Sequence, residues 1–308
     1  MPESTHPLGF EPAAPHIGRP SLPPGRSVEL PGRGTTFVRE VAGPQPDAPV
    51  VMLLHGWTVT AALNWFRVYD PLAEFSRVVS LDHRGHGRGI RSLRPFRLED
   101  AADDAVALAD VLGIDRFVVA GYSMGGPIAQ LVWRRHPERV SGLVLCATFA
   151  RSWVRRNERV VMRGARRIGR ASRLLPRRRQ VDMFTRVMTA GGSNPNERPP
   201  WFVSEVRSGS VPMMLEAGGA IVDFDSRPWL STVDVPVGIF ITEHDTIVSP
   251  DRQHRLAALL PEAELRFAPI DHDGCVTRPS DFVPGFIDLV RHTIATSVPS
   301  ADVPDRDG

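Results

Sequence analysis

A serine set between glycines is the first group in this chain that could do covalent chemistry. Gly121-Tyr122-Ser123-Met124-Gly125-Gly126 fits the pattern Gly-x-Ser-x-Gly. An apolar run precedes it and a helix-forming run follows, which is the strand–turn–helix context this pattern requires. A serine presented from so tight a turn is exposed, and glycines are needed where side chains would collide. The turn also places the N–H groups that follow at a helix N-terminus, where negative charge is favoured. The pattern alone is short, and a glycine-rich turn with a solvated serine is its plainer reading. The strand–helix context is what favours a nucleophile.

A serine at its ordinary pKa needs a base. Of ten histidines, His272 is the best candidate, because it lies in a loop just beyond the last predicted strand, in Ile270-Asp271-His272-Asp273-Gly274-Cys275. A lone loop histidine would be unremarked, but the others have better structural explanations. His55 and His83 lie at strand ends and precede the serine. His136 falls at a helix C-terminus, where a positive charge suits the dipole. His254 lies within a helix. The base in turn needs a carboxylate to orient it and to stabilise the imidazolium. Asp245 ends a predicted strand in Thr242-Glu243-His244-Asp245, and His244 directly precedes it. Glu243, Asp271 and Asp273 are rivals of lower rank, because neighbours of a strand-end position point elsewhere.

These residues need a scaffold. Short apolar runs at Val50–Leu54, Arg77–Leu81, Arg116–Ala120 and Val140–Leu145 read as strands buried on both faces of a parallel sheet. Between them, Leu98–Leu112 carries Ala102, Ala105, Val106, Ala109 and Leu112 on one helical face, with Gly113 as its stop. Met124–His136 reads as a helix ended by Pro137. The alternation breaks after Thr148 and resumes at Val235–Ile241. A helix then follows over Ser249–Leu260, with Ser249 as N-cap and Pro250 at the first position. The strand Leu265–Ala268 and a helix after Pro279 complete the pattern. The expected fold class is α/β, with a doubly wound, mostly parallel sheet and a helical segment inserted after the sixth strand.

The chain order Ser123, Asp245, His272 resembles that of the α/β-hydrolase superfamily, in its serine esterase and lipase-like branch with a helical cap. The resemblance covers about Thr35 to Thr296. Leu54-His55-Gly56-Trp57 resembles the family's oxyanion loop, which implies the backbone N–H groups of Trp57 and Met124 as oxyanion donors. Asp82-His83-Arg84-Gly85-His86-Gly87 resembles a family segment read as structural. The implied activity is hydrolysis of a carboxylic ester through an acyl-enzyme. Ser123 argues against the relatives with an aspartate nucleophile. It leaves open C–C bond hydrolases, thioesterases, lactonases, acyltransferases and perhydrolases, and a non-catalytic binding protein on the same fold. A small-molecule ester or acyl substrate is implied, with no metal and no organic cofactor.

Domain boundaries follow from composition. Residues 1–32 carry eight prolines and few large apolar groups, which reads as a disordered or extended arm. Residues 33–148 and 231–296 are the expected core, 149–230 the helical cap, and 297–308 a disordered tail. Cys146 lies in an apolar run and reads as core, whereas Cys275 lies close to His272 and its thiol has no assigned role. Two cysteines make neither a disulfide framework nor a metal spacing. No secretory signal or membrane-spanning run is visible, so a cytoplasmic location is expected.

The formal net charge is only +2, and every one of the 37 basic residues is Arg. Their distribution matters more. Residues 151–186 hold 13 Arg against Glu158 and Asp182. At 100° per residue, Arg155, Arg156, Arg159, Arg163, Arg166, Arg167, Arg170 and Arg173 share one arc, while Val154, Val161, Ala165, Ile168 and Leu175 lie opposite. The plainer expectation is a helix that packs its apolar face over the site and solvates its charges. The sharper one is peripheral contact with an anionic membrane. No nucleic-acid motif accompanies the charge, and nothing in the sequence sets the oligomeric state.

Overall fold

The computed structural model describes residues 20–152, 156–190 and 200–297. One eight-stranded sheet organises them: β1 (Gly25–Leu30), β2 (Gly34–Val41), β3 (Val50–Leu54), β4 (Arg77–Leu81), β5 (Phe117–Tyr122), β6 (Val140–Cys146), β7 (Val237–Thr242) and β8 (Glu264–Ala268). The spatial order is β1-β2-β4-β3-β5-β6-β7-β8. Only β2 runs against its neighbours; every pair from β4 to β8 is parallel.

The unbroken apolar runs of the central strands are explained by burial on both faces. Met52, Leu54 and Val119 enter one core cluster with α3 (Leu98–Val111), α4 (Gly125–Arg135) and α9 (Pro250–Ala257). Their neighbours Val51, Leu53, Val118 and Ala120 enter the opposite cluster. There they meet α1 (Ala61–Trp65), α2 (Tyr69–Ala73), α10 (Gly274–Thr277) and α11 (Pro279–Ser297). Adjacent side chains on a strand point to opposite faces, so two layers of helices need no polar face between them. Gly113 ends α3 at φ 64°, as expected. Pro250 opens α9, but the Ser249 side chain makes no capping hydrogen bond.

The N-terminal arm requires a correction. Residues 1–19 lie outside those described, but Gly25–Leu30 is an edge strand, registered from Gly25 opposite Arg39 to Leu30 opposite Gly34. Val28 and Leu30 alternate inward, and Gly32, at φ 70°, closes the hairpin. The proline-rich average conceals this local period of two. At the other end Ser297 is the last residue of α11, and residues 298–308 lie outside the described chain.

Between β6 and β7 the described residues form four α-helices: α5 (Arg156–Ser172), α6 (Arg177–Ala190), α7 (Pro200–Arg207) and α8 (Val211–Asp223). Val154, Arg155 and the loop 191–199 lie outside the described residues, as do the side chains of Arg156, Arg159 and Val161. α5 packs on α8 by a face that keeps only Ala165 of the expected apolar stripe among the described side chains. Ile168 is 54% exposed and Leu175 is also exposed. Instead Met162, Ala165, Arg166 and Gly169 face α8. A Cβ on Gly169 would stand 2.7 Å from the Pro212 carbonyl oxygen, and one on Gly219 2.9 Å from Arg166 Cβ. Carboxylates on α8 turn the helix: Arg173 pairs with Glu216 at 3.0 Å and Arg166 with Asp223 at 3.7 Å. Close backbone approach at glycines and these ion pairs outweigh the apolar stripe.

Candidate active site

Ser123 stands between β5 and α4 at φ 51°, a left-handed conformation that is strained for a serine. The surroundings hold it there. Its N–H donates to the Cys146 carbonyl at 3.0 Å. Its carbonyl accepts from Gly126 N–H at 2.9 Å and from Thr148 Oγ1 at 2.8 Å. The flanking glycines are sterically required. A Cβ on Gly121 would lie 2.2 Å from the Gly125 carbonyl oxygen, and one on Gly125 2.1 Å from that of Leu54.

His272 reaches the serine from the loop after β8. Its Nε2 is 2.9 Å from Ser123 Oγ and its Nδ1 is 2.7 Å from Asp245 Oδ2. Its backbone is clamped on both sides: its N–H donates to Asp271 Oδ1 at 2.6 Å, and its carbonyl accepts from Tyr122 Oη at 2.8 Å. The three residues predicted from sequence thus form one continuous hydrogen-bonded chain, although 149 residues separate Ser123 from His272.

Asp245 lies three residues past the end of β7 rather than at its last position. Its side chain is fully buried, so the carboxylate must be hydrogen-bonded. Oδ1 accepts from the N–H groups of Ile247 at 2.9 Å and Val248 at 2.7 Å. Oδ2 accepts from Thr242 Oγ1 at 2.8 Å and from Gln253 Nε2 at 3.4 Å, besides facing His272. The rivals have other employment. Asp271 accepts from Thr246 as well as from His272 N–H, Asp273 accepts from Thr277, and Glu243 is exposed. The structure adds Thr242 and Gln253, which carried no motif. Their only sequence signal is a polar residue in an apolar strand and another on the inner face of a helix.

The expected oxyanion loop lies beside the serine: a Cβ on Gly56 would be 3.4 Å from Ser123 Cβ. Gly56 N–H donates to Asn64 Oδ1 at 2.8 Å, and Thr58 adopts φ 64°. The Trp57 indole N–H crosses to the insertion and donates to the Met214 carbonyl at 2.8 Å. Met124 sits directly before α4.

Beneath this loop lies a buried cluster of His55, His83 and His86. The rings of His55 and His83 are 4.3 Å apart. His55 Nδ1 donates to the Gly56 carbonyl, leaving Nε2 to accept from His83 N–H at 2.9 Å. Burial lowers the pKa of all three: His55 falls to about 4, His86 to about 3, and His83 well below its ordinary value. They are neutral structural groups. The Asp82–Gly87 segment is likewise structural. Asp82 accepts from Ala61 N–H at 3.0 Å and Arg88 N–H at 2.9 Å, while Arg84 grips Asp104 of α3 through two 2.7 Å bonds. Cys275 is buried near the triad, and burial pushes its thiol up to about 12. It is therefore no thiolate nucleophile. Among the described residues no group of His, Cys, Asp and Glu could hold a metal ion.

The sheet order, the strained serine turn and the placement of His272 after the last strand define a class. Residues 49–279 match the alpha/beta hydrolase fold family, and the chain belongs to it. It is 28% identical over 255 residues to the pimeloyl-[acyl-carrier protein] methyl ester esterase of Chromobacterium violaceum, covering 79% of this chain and 94% of that protein. Among solved structures, the enol-lactonase of Burkholderia xenovorans LB400 superposes with a TM-score of 0.68 at 22% identity, over 86% of this chain and all of that one. A thermophilic esterase of Thermogutta terrifontis gives 0.67 at 21% identity, over 88% and 99%. The chain is a hydrolase of this family.

Proposed function

We propose that this hydrolase cleaves carboxylic esters through an acyl-enzyme on Ser123. The hydrogen-bonded chain from Asp245 through His272 to Ser123 Oγ carries the reading. His272 Nε2 takes the serine proton as Oγ attacks the ester carbonyl carbon. The imidazolium, stabilised by Asp245, then gives that proton to the departing alkoxide, and the alcohol leaves. Water attacks the acyl-serine with His272 again as base, and the carboxylic acid departs as serine recovers its proton. The backbone N–H groups of Trp57 and Met124 are assigned to the oxyanion, a role supported by the position of Gly56 against Ser123 and of Met124 before α4.

Three similar proteins bear the names esterase, methyl ester esterase and enol-lactonase, and all three names describe cleavage of an acyl–oxygen bond, the lactone being a cyclic ester. The same machinery could pass the acyl group to another acceptor or cleave a C–C bond, and the names favour neither. The reading extends to a small acyl ester as substrate, a cap built from residues 149–230, and a cytoplasmic location, for which two buried free thiols speak. Ser123→Ala is expected to reduce turnover of a chromogenic short-chain acyl ester by at least about 10³-fold and to abolish labelling by a fluorophosphonate. Retained turnover would remove Ser123 as nucleophile. An ester product formed with an added alcohol, in place of free acid, would reassign the chain to acyl transfer.

A further inference from the structure

Among the described residues eight large apolar side chains are exposed; four of them, Val160, Ile168, Leu174 and Leu175, lie on α5 or just past its end, and a fifth, Leu93, lies in the loop tied to that end. Leu93 is 94% and Leu174 90% exposed. Single exposed apolar groups need no explanation, but a concentration does. The Arg173 guanidinium donates to the carbonyls of Leu93 and Arg94. It thereby ties the core loop that bears Leu93 to the end of α5, where Leu174 follows. Arg173 is itself anchored on buried Glu216, so both leucines are tied to one anchored side chain.

The ground around them is basic. Residues 163–179 contain eight arginines and no carboxylate, and residues 88–97 contain four and none. Arg177 Nη2 donates to the Arg207 carbonyl, and Arg91 Nη2 to that of Ser208, so α6 and the end of α7 join the same surface. A cleft of about 610 Å³ opens beside it, lined by Arg94, Arg97, Arg166 and Arg170. Glu99, Asp100 and Asp223 also line it. Asp223 is already paired with Arg163 at 2.7 Å.

We propose that this face seats the protein on an anionic phospholipid bilayer, with Leu93 and Leu174 entering the headgroup–acyl boundary and the surrounding arginines holding lipid phosphates. Apolar side chains that protrude from a basic surface suit a layer that is negative outside and apolar within. An acidic protein would satisfy the arginines but would offer the two leucines no apolar layer to enter. Among the described residues no helix is long and apolar enough to cross a membrane, so the attachment is peripheral. The inference is independent of the bond that the hydrolase cleaves.

Flotation of the full chain with vesicles tests it. At low ionic strength the protein is expected to float with phosphatidylcholine–phosphatidylserine vesicles and not with phosphatidylcholine alone. Raising the salt to ~0.5 M should release it. The double variant Leu93→Ser, Leu174→Ser should weaken attachment by about tenfold or more, with an unchanged thermal midpoint showing that it is folded. Arg177→Glu with Arg178→Glu should weaken it similarly. Equal flotation with both vesicle types, or none with either, would overturn the proposal. Full attachment of the leucine variant would overturn it as well, because charge alone would then explain binding.

Discussion

The triad and the insertion sit a few side chains apart and are built on opposite principles. Around Ser123 and Asp245 nearly every polar atom has a partner within the core, and glycines stand where a methyl group would meet a carbonyl at little over 2 Å. Among the described side chains of α5 and α6 most arginines face water, and Val160 and Ile168 of α5 stay exposed. The first region tolerates almost no change because each group is over-determined by its neighbours. The solvent side of the second is held at a few anchors, Arg173 on Glu216 and Arg163 on Asp223, and leaves its other exposed positions free to vary. Bond-breaking machinery belongs in the rigid region, and selection of substrate or surface belongs in the permissive one.

Substitutions should expose this contrast. After Ser123→Ala, the largest effect is expected at Asp245→Asn, which keeps the shape but loses the charge assigned to stabilise the imidazolium. The turnover number should fall between about 10² and 10⁴-fold with KM little changed. A loss under tenfold would show that Asp245 is a packing residue. The next effect comes from pH. His55 and His86 stay neutral when folded down to about 4 and about 3, whereas an unfolded histidine protonates near 6.5. The unfolded chain therefore takes up protons first as the solution acidifies. The stability these groups contribute is present above about 6.5 and is lost progressively below it, by up to about 1.4 kcal/mol per pH unit for each group. Asp82, raised by burial, opposes this trend once it protonates. Urea midpoints at pH 7 and pH 5 should differ accordingly, and equal midpoints would remove the histidine cluster from the acid response. The smallest effect is expected at Ile168→Ser on the solvent side of α5, within about 0.5 kcal/mol of the parent. A loss above 2 kcal/mol would mean that this face is covered in the folded protein, and the contrast would fail.

The hydrogen-bonded chain of Asp245, His272 and Ser123 was legible because each residue lies just past a strand, and strand ends announce themselves as apolar runs that stop. The parallel strands were legible for the same reason. β1 was not, since Val28 and Leu30 are only two inward residues in a stretch dominated by proline. The packed face of α5 was legible only at Ala165. Periodicity ranks residues by hydropathy and pointed to Ile168, whereas the position of the helix follows from Gly218 and Gly219 on its partner and from two carboxylates that draw in Arg166 and Arg173. Those partners are distant in the chain and carry no mark of the pairing. Gln253 was hidden by the same distance: its role beneath Asp245 exists only once α9 folds back on β7.

The Trp57 indole joins the two regions. Its N–H donates to the Met214 carbonyl, and its ring lies against Gly218, where an added Cβ would come within 2.8 Å. Grafting a relative's insertion onto this core would leave the indole without its acceptor and its flat glycine seat unless both were matched. In this architecture the insertion is not an interchangeable module. One tryptophan acts as the key that a transplanted helix must fit, and residue 218 is where a chimera would first succeed or fail.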